Sequence, residues 1–590
     1  MVQQYELVLS ELGGWSNNTL GMLTFVLMVS ASGETQVRSF FGFFAICLLV
    51  AGCADRRLTA ILEAQGGAAD MPPSGPNSCS PGPAPLLPPM GWNGWNEFRC
   101  RPELGQAKFE ANVDALVASG MKDAGYEYAN LDDCWQAPRG ADGTLTANSR
   151  FPDGVDGLGR YAHARGLKLG VDAHNVDCPR PELTTPGSAN HESQDASTFS
   201  SWGVDYVKYV SCGGTDADVE TSFRTMRGAL DQAGRPMLLS VGNAPFKEWQ
   251  PSVGQLWRTH GDIEPTWSAL LDIIDTQSGL AAYGGRSGFN DADMLWVGNA
   301  ALTDAESRAH FSMWSAFASP LLAGNDLSQM SDATRAILTN RDVIALDQDA
   351  LTLQAVLLGQ QGDVGVYAKP LGACGARGVV LLNRGKRAAD ASVTWQSLGL
   401  ASGVAQVDDL WAGTALDPAR DTLTLTVPPH DVRALRISGR EPPLPSGNVY
   451  LSDLPWSYAA NGWGPVELDQ EVEGKASGDG KPLTLGGIGY DKGLGTNSPA
   501  LVRYRLGKAC HTLSADLGID DSTNGGGSVV FQVWADREKI FDSGVMLGTT
   551  PPRHLELDVS GRTELRLFVA EVEDVTLDRA DWAGARLSCD

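Results

Sequence analysis

Between Met90 and about Leu351 the chain repeats one short pattern eight times: an apolar run of strand length, then a stretch with helical periodicity. The runs are "MGWNGWN", "YEYANLD", "LKLGVDA", "VDYVKYV", "PMLLSVG", "LWRTHGD", "FNDADML" and "PLLAGND". Helical text separates them, as in "TDAESRAHFSMWSAFAS", where Thr303 and Glu306 make a capping box. Eight such units predict an α/β fold, a (β/α)8 TIM barrel over residues 88–351, with its working residues at the carboxyl ends of the strands.

The remaining chain is too long to share one core with the barrel. Residues 352–440 read as short alternating strands with turn residues between them ("GDVGVYAKPL", "RGVVLLNRG", "ASVTWQSL"), which predicts an antiparallel β-sandwich. "EPPLPSG" at 441–447 is a linker, and residues 448–590 form a second all-β, jelly-roll-like module rich in glycine turns. Upstream, "VRSFFGFFAICLLVAGC" sets one arginine before an apolar stretch too short for a stable span, then small residues and Cys53. This predicts a leader over 1–53 that exports the protein, with Val37 fitting a GTG start that leaves 1–36 outside the translated chain. The ending "LVAGC" resembles a bacterial lipobox, in which the cysteine is lipidated, so the expected location is a cell-surface or periplasmic lipoprotein, or a secreted protein. Residues 54–87 are a proline- and glycine-rich tether.

Lys plus Arg number 45 against 71 for Asp plus Glu, a net charge of −26 that repels nucleic acid and anionic lipid. The expected partner is a neutral carbohydrate, with membrane contact only through the lipid anchor. Sixteen tryptophans suit stacking on sugar faces, although tryptophan more often fills cores. Export permits disulfides. Cys100 and Cys134 each follow a barrel strand, as do Cys178 and Cys212, and pairing within each couple is expected. Cys510 and Cys589 bracket the last module, while Cys79 and Cys374 have no evident partner. No metal-ligand spacing or phosphate loop is present in the sequence, so no cofactor is expected.

Acidic and aromatic residues collect at the predicted strand ends: Trp92, Trp95, Asp132, Asp133, Trp135, Asp172, Lys208, Arg258, Asp262, Asp291 and Asp293. A single aspartate in such a place more often caps a turn or a helix. Together, carboxylates, a lysine, an arginine and tryptophans can hold several hydroxyls and stack on an apolar ring face.

The blocks "PPMGWNGWNEFRC", "LDDCW", "WGVDYVKY", "WRTHGDI", "FNDADMLWVGN" and "SPLLAGNDL", in this order, resemble glycoside hydrolase family 27, the α-galactosidases and related enzymes. "VYLSDLPW", "GWGPVELD", "GLGTNS", "VVFQVWAD" and "DRADWAGARL" resemble the NPCBM carbohydrate-binding module. The first resemblance implies a glycosidase in which Asp132 and Asp133 bind outer hydroxyls, Trp95 forms an apolar wall, Lys208 and Arg258 donate to ring hydroxyls, and Asp262 is the acid/base. It also implies a nucleophilic aspartate in a "KYD.C" pattern. Here the text reads "KYVSC", with Val210 at that place.

Other departures surround it. "LKLGVDAHN" has Asp172 where the family commonly has tyrosine, and "LLSVGNAP" has Gly242 and Asn243 where it often has Glu-Trp. Phe289 and Ala292 replace a tryptophan and a proline, and Asn497 and Arg579 replace histidines of the module. Two readings follow. In one, Asp172 substitutes for the missing carboxylate, as nucleophile or as base, with Asp177 the next acid on the same loop. In the other, the chain is an inactive, glycan-binding surface lipoprotein. A third, a structural adaptor, has no distinctive support.

Overall fold

The computed structural model describes residues 86–590 apart from 180–183, 243–244, 286–287, 300 and 573–575. The leader, the lipobox cysteine, most of the tether and Asn243 therefore lie outside the described residues.

All eight predicted strands form, as β1 Met90–Asn93, β2 Tyr128–Leu131, β3 Lys168–His174, β4 Tyr206–Val210, β5 Leu238–Val241, β6 Leu256–Arg258, β7 Phe289–Asp291 and β8 Leu321–Ala323. They pair in parallel in the order β8-β1-β2-β3-β4-β5-β6-β7. The ring closes just beyond β7, where Leu295 bridges to Ala323 and exchanges backbone hydrogen bonds with Leu322 and Gly324. Helices α1 Gln106–Ala118, α2 Gly154–His163, α3 Glu192–Ser201, α4 Asp216–Gln232, α5 Trp267–Ser278 and α6 Asp304–Ala316 cover the outside. The capping box at Thr303 and Glu306 starts α6 as predicted, and Thr215 with Asp218 makes another at α4. One crossover departs from the eightfold pattern: β5 reaches β6 through a 3₁₀ turn at Gln250–Ser252. Pro245 and Pro251 within this short connection deny it the unbroken N–H ladder of a helix.

Side chains alternate along each strand, which sorts them into layers inside the barrel. Tyr128, Tyr206, Leu256 and Phe289 plug the lower interior. Above them Asn130 reaches across β3, which is why position 170 is glycine: a Cβ there would lie 2.0 Å from Asn130 Oδ1. The next layer pairs Asp172 with Lys208, and the one above it pairs His174 with Val210.

The β-sandwich carries the predicted strands, including Val364–Pro370, Ala376–Asn383 and Val432–Ser438, in a six-stranded sheet faced by a two-stranded one. It holds the barrel through Trp267 stacked on His430 at 4.8 Å and Trp411 Nε1 donating to Ser312 Oγ at 2.9 Å. The last module is two packed antiparallel sheets, and a disulfide joins Cys510 and Cys589 as expected. Cys374 is also disulfide-bonded, which corrects the sequence expectation that it has no partner. This module sits against the barrel near the β5–β6 connection: Phe246 packs on Tyr283 at 4.6 Å, Tyr283 on Phe568 at 6.5 Å, and Tyr458 donates to the carbonyl of Gln354. Among the described residues, no helix is long and apolar enough to cross a membrane.

Candidate active site

The carboxyl ends of β2, β3 and β4 hold one continuous charged network. Lys208 donates to Asp132 Oδ2 at 2.8 Å and lies 3.7 Å from Asp172 Oδ2. Asn93, at the end of β1, donates to the same Asp132 oxygen at 2.6 Å. His174 Nε2 stands 3.3 Å from Asp172 Oδ1 and 3.6 Å from Asp133 Oδ2. Burial works against the Lys208 ammonium, yet Asp132 and Asp172 raise its pKa above that of an ordinary lysine. Burial likewise opposes the Asp132 carboxylate, and Lys208 with Asn93 lowers its pKa in spite of it. Asp133, Asp172 and His174 bring their polar atoms within 4.8 Å of one another. Lys208 brings counter-charge to this group.

Across the mouth, β6 ends in Arg258. Its guanidinium donates to the His260 carbonyl at 3.1 Å and to Asp262 Oδ1 at 3.2 Å, and pairs with Asp293 at 3.0 Å. Asp293 in turn accepts from the backbone N–H of Ile263, so the turn bearing Asp262 is fixed on both sides. The Asp262 side chain is 68% exposed, whereas that of Asp172 is 2% exposed. Trp95 opens a short helix beside the mouth, its N–H bonded to Asn93 Oδ1 and its ring under the Arg99 guanidinium. Disulfides Cys100–Cys134 and Cys178–Cys212 form as expected, tying the loops after β1 and β2, and after β3 and β4.

Burial, reinforced by Asp293, pushes Asp291 up to about 6, against the pull of Arg258. A folded pKa above the unfolded one favours folding at low pH and loses that contribution as pH rises through 6. Asp291→Asn should therefore gain on the wild type in unfolding free energy between pH 4 and pH 7, the difference growing by up to roughly 3 kcal/mol and showing as a widening gap in melting temperature. Equal differences at both pH values would contradict this.

The substituted position shows a local cause and effect. Val210 is half-buried, level with His174, and its Cγ2 lies 2.7 Å from where a Cβ on Gly242 would be. Valine at 210 and glycine at 242 thus fit each other. Sequence reasoning brought Asp132, Asp133, Asp172, Lys208, Arg258 and Asp262 to this face, and missed Asn93 and His174. His174 was findable, because it lies two residues after Asp172 on one strand and so shares its face. Asp177 stands apart, accepting from the Gly187 N–H and lining a cavity of about 790 Å³ with Gln136, Arg139 and Arg150. In the last module, Asn497 and Arg579 pair across neighbouring strands, and Arg579 is bound to Glu471 at 2.7 Å.

A parallel barrel whose strand ends carry this set of acids and cations has the layout of a barrel enzyme, with groups suited to a polyhydroxylated ligand. The comparisons are more specific. Residues 87–349 match the alpha galactosidase A family, 361–437 the alpha galactosidase C-terminal beta sandwich domain, and 447–588 the NPCBM/NEW2 domain. Alpha-galactosidase A of Cellvibrio japonicus is 43% identical over 382 residues, spanning 60% of this chain and 92% of that protein. Alpha-galactosidase 2 of Arabidopsis thaliana is 38% identical, over 60% and 90%. The crystal structure of alpha-galactosidase I from Mortierella vinacea superimposes with a TM-score of 0.57 at 31% identity, covering 60% of this chain and 98% of that one. The chain belongs to the α-galactosidases of glycoside hydrolase family 27, with an NPCBM domain appended.

Proposed function

We propose that this protein hydrolyses terminal α-D-galactosyl or closely related residues, with Asp262 as acid and Asp172 supplying the carboxylate that Val210 lacks. The observation that carries this is the unbroken network Asp132–Lys208–Asp172 facing Arg258 and Asp262 at the strand ends. Lys208 remains a charged donor and Asp132 an ionised acceptor, the two properties needed to hold a galactose-like diol. The test is to incubate the full-length protein with p-nitrophenyl α-galactoside and a panel of α-galactosides and β-arabinopyranosides. Hydrolysis of a member is expected. The depth of Asp172 favours a second reading, a glycan binder: the panel then stays intact while calorimetry still detects a galactoside held through Asp132 and Asp133.

The appended domain supports a role on carbohydrate in either case, although Arg579 engaged by Glu471 replaces a histidine that the resemblance leads one to expect. We further propose that the mature chain is an exported lipoprotein beginning at Cys53. Cys53→Ser should move the protein from the membrane fraction to the soluble one, and an unchanged distribution would refute the anchor.

A further inference from the structure

Parallel barrel strands are buried on their outer side by crossover helices, but the described residues of the β5–β6 crossover offer only the 3₁₀ turn at Gln250–Ser252. The last module stands in that place. One of its sheets runs through Tyr458–Ala460, Ala500–Arg505, Glu564–Glu571 and Ser528–Ala535, in that order. Side-chain alternation gives this sheet two apolar faces. Val502, Leu567, Val569 and Val533 fill the module's own core. Tyr458, Ala460, Leu501 and Phe568 point the other way and are buried in one cluster with the core of the barrel. Ala460, Leu501 and Phe568 lie side by side across three strands, so the contact is a continuous face. An antiparallel sheet commonly turns such a face to water.

We infer that the last module is a structural part of the barrel: this sheet face takes the place of the missing crossover helix and holds the segment between β5 and β6. That segment begins at Gly242, whose N–H donates to the Tyr209 carbonyl beside Val210, so the hold extends to the wall of the mouth. Polar contacts fix how the face is seated. Tyr458 donates to the Gln354 carbonyl at 2.9 Å, and Tyr283, packed on Phe246 of the crossover, donates to Glu571 Oε2 at 3.3 Å. Glu248 of the crossover meets Glu571 carboxyl to carboxyl. Burial, then the Glu571 hydrogen bond and the charges of Glu571 and Asp578, push Glu248 up to about 9, so at neutral pH it keeps the proton that this contact needs. The linker is seated as well: Arg377 holds Glu441 at 2.9 Å, and Arg505 donates to the Pro442 carbonyl at 2.7 Å. The module is thereby fixed relative to the mouth instead of swinging on a tether. This inference is independent of the hydrolase reading.

The experiment is native-state hydrogen exchange on the full-length protein, read by mass spectrometry over residues 246–255 and over α1 on the opposite side of the barrel. Two variants are compared with the wild type. Phe568→Ala removes a ring from the docking face, and Val569→Ala trims the opposite face, inside the module. Phe568→Ala should speed exchange of the 246–255 amides about tenfold or more while α1 keeps its wild-type rates, because the crossover opens once the face above it is loosened. Val569→Ala should speed the same amides, since a module that opens more often releases its hold, and it keeps the inference testable if Phe568→Ala folds poorly. Exchange over 246–255 that stays at the wild-type rate in both variants, while the module's own strands exchange faster, would make the module an independent passenger and overturn the inference.

Discussion

Asp262→Asn and Asp172→Asn should separate by leaving group. With Asp262 removed, an unactivated oligosaccharide α-galactoside loses about 10³–10⁴ in rate, because its alkoxide cannot depart without a proton. A 2,4-dinitrophenyl galactoside, whose phenolate leaves unaided, loses far less. Asp172→Asn should cost both substrates alike, on the order of 10³–10⁴, since every substrate must be attacked at C1 and that attack is the part assigned to this carboxylate. Measuring both variants on both substrates gives four numbers whose pattern assigns the roles. Equal losses for Asp262→Asn on the two substrates would remove it as the acid, and an Asp172→Asn rate equal to wild type would remove Asp172 from the chemistry.

The second large effect is on stability. Lys208→Met takes the ammonium from beside Asp132 and Asp172, both buried, and leaves carboxylates without their counter-ion. Breaking a buried pair from one side costs about 3–5 kcal/mol, which for a domain of this size lowers the melting temperature by on the order of 10 °C. Adding Asp172→Asn to Lys208→Met should restore part of the loss, and acidification should do the same by protonating the stranded carboxylates. A Lys208→Met protein that melts with the wild type would mean that solvent, not Lys208, satisfies these acids.

The barrel was legible because its signal is repetitive: eight apolar runs separated by helical text leave few other folds, and all eight appear as strands. The β5–β6 crossover was misread as an ordinary unit because the count of strands says nothing about what joins them, though Pro245 and Pro251 argued against a helix there. At the site, Lys208 and Val210 are two residues apart on one strand, so alternation alone sets them on one face. Alternation does not report register between strands, however. Whether Asp172 or His174 stands beside Val210 depends on how β3 slides along β4, and the pairing of Asp172 with Lys208 emerges only in three dimensions. The Val210–Gly242 fit was hidden for the same reason, since β4 and β5 are far apart in the text.

The closeness of β4 and β5 at this level keeps the wall of the mouth bare. A side chain at 242 would meet the Val210 Cγ2, 2.7 Å from its Cβ, and the Tyr209 carbonyl oxygen at 3.0 Å. Trimming the valine relieves the first contact and leaves the second, so the end of β5 is closed to bulk by the backbone of β4 as well as by the residue at 210.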